Sequence, residues 1–496
     1  MVFSSYLFIL VFLPIVWLGY CLLARSRVGS FGVTLWLLLA SLFFYGHWSW
    51  RVVPLILLSI AVNWLVGRLI EGSTGRRARL WLALGIAFDL GLLGYFKYAN
   101  FLVATVESVS GASFAWQTVV LPIGISFFTF QQIAYLVDIY RQEAVERDPW
   151  RYALFVTFFP QLIAGPIVHH REMMPQIGRQ PRERRVPDLV LGIVIFAIGL
   201  AKKVIIADGI APISDAVFDL AAMGAVPSTG EAWAGALAFG FQIYFDFSGY
   251  SDMAVGLARM FGIALPVNFA SPYKASSIIE FWQRWHITLS RFLRDYLYIP
   301  MGGGRVGEWR RYRNIVVTML LGGIWHGAGW TFVLWGLLHG LLITADHARR
   351  RFWCGPDLPL WGARALTFAL VTIAWVPFRA ADLATTFRLY GAMTGMGPSV
   401  EATAWPFYSP AGVWLLLAAL LAFAWLLPNT AEIMKPAVAP LTTPGYPAVE
   451  PVGRAAGWTM GLGFHPSGGW ALAIALLLSL SLIGVGNGGA FIYYQF

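Results

Sequence analysis

Apolar residues in this chain run continuously instead of alternating with polar ones. Runs at Tyr6–Leu23, Phe31–His47, Val52–Ile70, Leu80–Tyr98 and Val119–Tyr140 approach the roughly 20 residues that an α-helix needs to cross a bilayer. Unbroken runs predict helices, because the strands of a membrane barrel alternate apolar with polar positions. Further spans are predicted at Asp188–Ala207, Glu231–Val255, Leu360–Val376, Gly412–Leu427 and Trp470–Val485. The expected fold class is an all-α polytopic membrane protein of roughly ten to twelve membrane segments. Ser277–Tyr298 follows a different pattern. Trp282, Trp285, His286, Leu289, Phe292, Leu293, Tyr296 and Leu297 recur there at helical spacing, with Arg284, Thr288, Arg291 and Asp295 opposite. This predicts an amphipathic helix that lies along a membrane surface or fills a cavity.

The loops orient the spans. Arg25/Arg27, Arg76/Arg77/Arg79 and Arg141/Arg147/Arg151 alternate with links that carry only Arg51 or, over Asn100–Thr118, no Lys or Arg. Basic loops stay in the cytoplasm, so the N-terminus is expected outside. Two stretches then break the alternation. Tyr152–Val168 is apolar but has basic flanks on both sides, the second formed by Arg171, Arg179, Arg182, Arg184 and Arg185. A re-entrant or broken element fits, and Pro160, Gly165 and Pro166 are the residues that break helices. Between Arg305/Arg310/Arg311/Arg313 and Arg349/Arg350/Arg351 lie about 30 apolar residues, too many for one span and few for two. A shallow helical hairpin is expected, with Trp325-His326-Gly327 near its deepest point. Asp208–Gly230 reads as an outside connection, Lys202 and Lys203 either as residues that snorkel from a span end or as the mark of a different span boundary, and Pro428–Val452 as a flexible cytoplasmic loop.

Composition agrees with this class. The 496 residues are 58% hydrophobic and 12% charged, against about 45–50% and about 25% for soluble domains. The net charge of +10 sits in topology-setting loops, so no nucleic-acid partner is expected. Cys21 and Cys354 have neither metal-site nor disulfide-framework spacing, and no His pair has a zinc signature. The first run reads as a retained span, since no basic region or small-residue cleavage site accompanies it.

Candidate chemistry centres on ionisable groups inside apolar sequence, which are costly there and mark function by default. His326 leads, because His moves protons near neutral pH. His286, on the apolar side of its helix, is either an interfacial ring bonded to neighbouring backbone or part of the same site. Gln131, Tyr135 and Asp138 share a helical face, and Tyr244, Asp246, Ser248 and Asp252 lie within or near a span. Each set is either an interhelical hydrogen-bond clamp, a polar cavity lining or a proton path. Gly302-Gly303-Gly304-Arg305 is read as a flexible turn in preference to a phosphate loop, for lack of a Walker lysine. His47, His339, His347 and His465 are given structural roles, and His169 and His170 are placed at a cytoplasmic span end.

Longer blocks carry a resemblance. They are the opening Met1-Val2-Phe3-Ser4-Ser5, Phe127-Phe128-Thr129-Phe130-Gln131 through Asp138, Phe159-Pro160-Gln161-Leu162-Ile163-Ala164-Gly165-Pro166 and Lys202-Lys203. Tyr244 through Asp252, Asn268-Phe269, Phe281-Trp282-Gln283-Arg284-Trp285-His286-Ile287-Thr288-Leu289-Ser290, Trp325-His326-Gly327 and the ending Phe491–Phe496 continue it. The chain resembles the membrane-bound O-acyltransferases, in the bacterial branch of alginate O-acetylation proteins and teichoic-acid D-alanyl transferases.

The resemblance implies one integral membrane domain over 1–496. Its catalytic core would span 120–345, the C-terminal helices 365–496 would be less diagnostic, and tilted and re-entrant helices would surround a funnel. It implies catalytic His326 and His286, the latter a position where many eukaryotic members carry Asn. Gln131, Tyr135, Asp138, Tyr244, Asp246, Ser248, Asp252, Trp282, Arg284, Trp285 and Trp325 would bind substrate or line the cavity. It implies a multi-pass protein of the bacterial inner membrane, in contact with lipid and without a tightly bound cofactor. Acetyl-CoA would be the acyl donor, and a periplasmic relay protein would complete O-acetylation of an exported polysaccharide, with alginate the leading acceptor. A D-alanyl transferase, a polysaccharide transporter and a secretion scaffold are the competing classes.

Overall fold

The computed structural model describes residues 1–26, 29–143, 145–163, 165–177, 185–396, 409–438, 463–486 and 492. Those residues are helical or in connecting segments, with no strand among them. Arg179, Arg182, Arg184, Ala164, most of the Pro428–Val452 connection and the ending block other than Ile492 lie outside the described residues. The chain forms two compact units, one of residues 1–200 with 250–266, the other of 201–249 with the described residues from 267 onward.

In the first unit a π-helical stretch, Leu7–Phe12, leads into α1 (Leu13–Arg25). Next come α2 (Gly29–Gly46), α3 (Val53–Glu71) and α4 (Gly75–Leu93), which continues through Gly94–Tyr98 into α5 (Ala99–Ser110). This last segment is 36 residues long, about 54 Å at 1.5 Å per residue. The sequence pattern ends it at Tyr98, but helix runs on until Gly111, at φ 70°, closes it as a left-handed cap. The expected link over Asn100–Thr118 is correspondingly shorter. Then follow α6 (Ile125–Tyr140), α7 (Pro149–Thr157), α8 (Phe159–Leu162), α9 (His170–Met173) and α10 (Arg185–Ala201). Asp148 starts α7 by accepting the Trp150 and Arg151 N–H groups, with Pro149 at the first position. Helix is interrupted at Phe158, so the element from Tyr152 is broken, as its flanks require.

A π-helical stretch, Lys202–Ala207, carries α10 directly into α11 (Asp208–Ala222) in the second unit. The expected outside connection Asp208–Gly230 is therefore mostly helix. α12 (Thr229–Met260) is next, its residues through Gly249 belonging to the second unit. The amphipathic segment is two helices, α13 (Ile278–Arg284) and α14 (Ile287–Leu293), continuing into a π-helical stretch, Arg294–Tyr298. It is not one surface helix: Trp282, Arg284, Trp285, His286 and Thr288 are all buried. Helices α15 (Glu308–His326) and α16 (Trp330–Phe352) then form the expected hairpin. The rest is α17 (Leu360–Arg379), α18 (Leu383–Met393), α19 (Pro410–Leu426), α20 (Thr430–Val438) and α21 (Gly468–Gly484). α20 occupies the start of the connection read as a flexible loop.

Among the described residues seven helical segments are long and apolar enough to cross a membrane: Leu7–Arg25, Gly29–Gly46, Trp50–Glu71, Gly75–Ser110, Val186–Ala222, Leu360–Arg379 and Pro410–Ala437. Many of their large apolar residues are exposed, Leu10, Leu39, Leu65 and Leu415 among them. That surface suits a hydrocarbon solvent. The protein is a multi-pass membrane protein.

Candidate active site

His326 is the last residue of α15, and Gly327-Ala328-Gly329 turns the chain into α16. Glycine makes this geometry possible. A Cβ on Gly323 would lie 2.3 Å from the Phe332 carbonyl oxygen, one on Gly336 2.5 Å from the Met319 carbonyl oxygen, and one on Gly340 2.9 Å from Val316 Cα. The hairpin is thus sealed backbone against backbone, the packing that small residues allow between membrane helices. A Cβ on Gly327 would enter the Phe332 ring at 2.1 Å. Through this seam the α16 side chains are set against His326.

The buried His326 ring lies 4.9 Å from Trp335, 5.0 Å from Trp325 and 5.3 Å from Phe378, centroid to centroid. The His286 ring lies 6.4 Å away and is wholly buried. His286 occupies the break between α13 and α14 in the left-handed region, at φ 42° and ψ 54°. A non-glycine residue held there is a strained position, the kind that clusters at functional sites. Its Nδ1 meets Asn268 Oδ1 at 3.1 Å, and Asn268 Oδ1 also accepts the Thr288 hydroxyl at 2.9 Å and the Thr288 N–H at 3.3 Å. Its Nε2 is buried without a hydrogen-bond partner among the described residues.

An aromatic wall stands beside the two histidines. Trp285 packs against Trp375 at 4.9 Å, and Trp335 stacks on Trp375 at 5.9 Å. Trp335 is buried, and its indole N–H has no partner among the described residues. Trp282 donates its indole N–H to His339 Nδ1 at 3.2 Å, and His339 is completely buried, 4.8 Å from Trp335. Trp335 was not singled out by sequence, Asn268 was named only within a family block, and His339 was given a structural role. His326 and His339 are 13 residues apart on different helices, and no local spacing announces that a helical turn brings them to one cluster.

The remaining candidates are placed as follows. In the second unit Tyr244 lies 6.3 Å from Trp285, ring to ring, and Ser248 is buried. Asp246 is 2.9 Å from Lys203, which also donates to Asp208 at 2.5 Å, and it accepts the Ile492 N–H at 2.9 Å. Lys203 therefore does not snorkel: two carboxylates hold it inside. Arg284 pairs with Glu280 at 2.7 Å and donates to the Ala270 carbonyl. Burial pushes the Glu280 carboxyl up. The Ser276 N–H and hydroxyl, with Arg284, outweigh that and hold it below the usual carboxylate range.

Gln131, Tyr135, Asp138 and Asp252 belong to the first unit. Gln131 donates to the Phe155 carbonyl at 3.0 Å and Tyr135 to the Glu146 carbonyl at 3.3 Å, and Asp138 is buried. Gln131 thereby clamps α6 to α7, and Tyr135 ties α6 to the connection that precedes α7. The Gly302–Gly304 turn is built and not loose: Asn314 donates to the Met301 and Gly303 carbonyls, and Gly302 and Gly303 take φ of 102° and 57°.

Residues 124–375, which hold both histidines and their cluster apart from Phe378, match the model of the membrane-bound O-acyltransferase family. The chain belongs to that family. It is similar to the peptidoglycan O-acetyltransferase of Helicobacter pylori, 44% identical over 428 residues and 80% of each chain. It is equally similar to the probable alginate O-acetylase AlgI of Azotobacter vinelandii, 44% identical over 80% of this chain and 79% of that one. The teichoic acid D-alanyltransferase of Lacticaseibacillus rhamnosus is a more distant relative, 28% identical over 46% of this chain. Membership of the membrane-bound O-acyltransferases makes this protein an acyltransferase. It gives the buried histidine pair a reaction to be weighed against.

Proposed function

We propose that the protein is an O-acetyltransferase of the bacterial inner membrane. It takes an acetyl group from a cytoplasmic thioester, acetyl-CoA, and delivers it for O-acetylation of an exported or cell-envelope polysaccharide. Relatives named for peptidoglycan and for alginate are equally similar over the same share of the chain, which supports a polysaccharide acceptor and leaves alginate one member of that class. A periplasmic relay protein would make the final transfer to polymer beyond the reach of a membrane site. The observation that carries the reading is the buried pair His326 and His286, 6.4 Å apart, within the family-matching region.

In this mechanism a hydroxyl attacks the thioester carbonyl, the C–O bond forms and the C–S bond breaks. His326 takes the hydroxyl proton as general base and returns it to the leaving thiolate. The carbonyl oxygen becomes an oxyanion and needs donors placed in advance. Trp335 fits that need, because its N–H is buried, unpaired among the described residues and on the ring adjacent to His326.

The test is the O-acetyl content of the exported polysaccharide, read by proton NMR. A deletion strain would be complemented with the wild type or with His326→Ala at equal membrane abundance. Polymer that is still exported but has lost its acetyl signal is the expected result, with a drop of about 100-fold to 10,000-fold. Unchanged acetylation would sink the assignment, and loss of the polymer itself would favour an export or scaffold role.

A further inference from the structure

We propose that Asn268 is a positioning residue that fixes the proton of His286 on Nδ1. His286 then enters the transfer as a hydrogen-bond acceptor at Nε2 and not as an oxyanion donor. The inference rests on the acyltransferase reading for its chemistry and on hydrogen-bond geometry for its sign. The Asn268 atom that faces His286 also receives the Thr288 backbone N–H, at 3.3 Å, and the Thr288 hydroxyl, at 2.9 Å. A backbone N–H can only donate. The shared atom is therefore the amide oxygen, and the amide of Asn268 cannot be flipped without setting two donors against each other. An oxygen accepts, so the ring nitrogen 3.1 Å from it carries the hydrogen. In a neutral imidazole the other nitrogen then bears the lone pair.

That lone pair is on Nε2, buried and without a partner among the described residues. A buried acceptor left unmatched costs stability, and the backbone strain at His286 adds to that cost. Both are accounted for if a proton donor arrives during the reaction. When His326 takes the hydroxyl proton it becomes an imidazolium with two N–H groups, only one of which is needed to return the proton to the substrate's leaving group. The ring separation of 6.4 Å is longer than a direct ring-to-ring hydrogen bond and fits one bridging oxygen. His286 then serves His326 as the third member of a triad serves its base, by orienting it and spreading its charge. No proton is lost in this arrangement, since the one taken by His326 is returned to the thiolate.

The experiment combines a spectroscopic and a kinetic arm on the full-length protein in nanodiscs. The first records the ¹⁵N signals of ring-labelled histidine, assigned by their loss in His286→Asn. A protonated Nδ1 and an imine-type Nε2 at His286 are expected, and a protonated Nε2 overturns the proposal. The second compares Asn268→Asp, which keeps an accepting oxygen, with Asn268→Leu, which keeps none, at equal folded yield. Turnover from acetyl-CoA should survive in the first and fall about 100-fold in the second with KM nearly unchanged. Full turnover in Asn268→Leu overturns the proposal, as does an equal loss in both variants. The ¹⁵N arm needs no turnover. If the wild type transfers no acetyl group, the acetyltransferase reading fails while the Asn268 assignment is still decided.

Discussion

At the scale of single residues, three side chains have separable expectations. Removing one oxyanion donor typically costs about 100-fold to 1,000-fold in kcat, so Trp335→Phe should lose that much acetyl transfer while keeping its ring packing. A steady-state assay on purified protein checks this, and a near-normal kcat would exclude the indole N–H. His286→Asn preserves the fold, because Asn is among the residues that tolerate left-handed backbone. It should lower transfer while leaving the thermal unfolding of the purified protein close to wild type. His170 offers a pH test in the first unit. Burial, and then Arg151, push its ring down to about 4 from the ordinary 6.5, and neither ring nitrogen has a hydrogen-bond partner among the described residues. Folding favours the neutral ring, so this contribution is complete above pH 6.5 and is lost as pH falls towards 4. Wild type should lose more thermal stability between pH 7 and pH 4 than His170→Phe does, and parallel curves would refute the assignment.

Residue types in apolar sequence were enough to point to His326 and His286. Their partners were not legible, since the roles of Asn268 and Thr288 depend on a backbone kink at His286, and that of Trp335 on the α15–α16 seam, neither of which periodicity encodes. Arg284 and Thr288 were read onto the exposed side of one helix. That kink re-aims the chain, and both are buried.

At the scale of elements, the α15–α16 seam makes the sharpest prediction. Gly336→Ala places a methyl 2.5 Å from a main-chain oxygen, which cannot move aside as a side-chain tip can. Gly322→Ala meets only Leu293 Cδ1, at 3.2 Å. Membrane abundance and acetyl transfer should both fall steeply in the first variant and change little in the second, as read by immunoblot and the polymer NMR assay. The hairpin itself was legible from arginines on both flanks, because charge cannot cross cheaply. The lengths of other elements were not. Gly75–Ser110 and Val186–Ala222 run past their expected ends because buried polar pairs let a helix carry charge inside. Lys97 reaches Ser126 at 3.2 Å, and Lys203 reaches Asp208 and Asp246. Hydropathy alone counts such lysines as span ends.

At the scale of the whole molecule, loop charge sets which side each end of a helix faces. By that rule Arg349, Arg350 and Arg351 are expected to hold the end of α16 in the cytoplasm, and the exposed Cys354 lies just beyond it, whereas Cys21 is buried. A membrane-impermeant maleimide should leave Cys354 unlabelled in intact spheroplasts and label it in inverted vesicles. Labelling from the outside would reverse the topology and with it the side from which the proposed acetyl donor arrives. The class of protein was legible from composition and run length. The division into two compact units was not, because one continuous α12 supplies residues to both.

The glycine seam also sets what this gene can tolerate. Every single-nucleotide missense change at a glycine codon adds at least a Cβ, and at residues 323, 336 and 340 that atom has main-chain neighbours at 3 Å or less. A saturation scan of the hairpin should therefore show three codons with no acceptable neighbour in sequence space, two of them four residues apart. Codon 322, just before the first of them, should drift freely to alanine, so that inherited variation itself would trace the line along which the two helices touch.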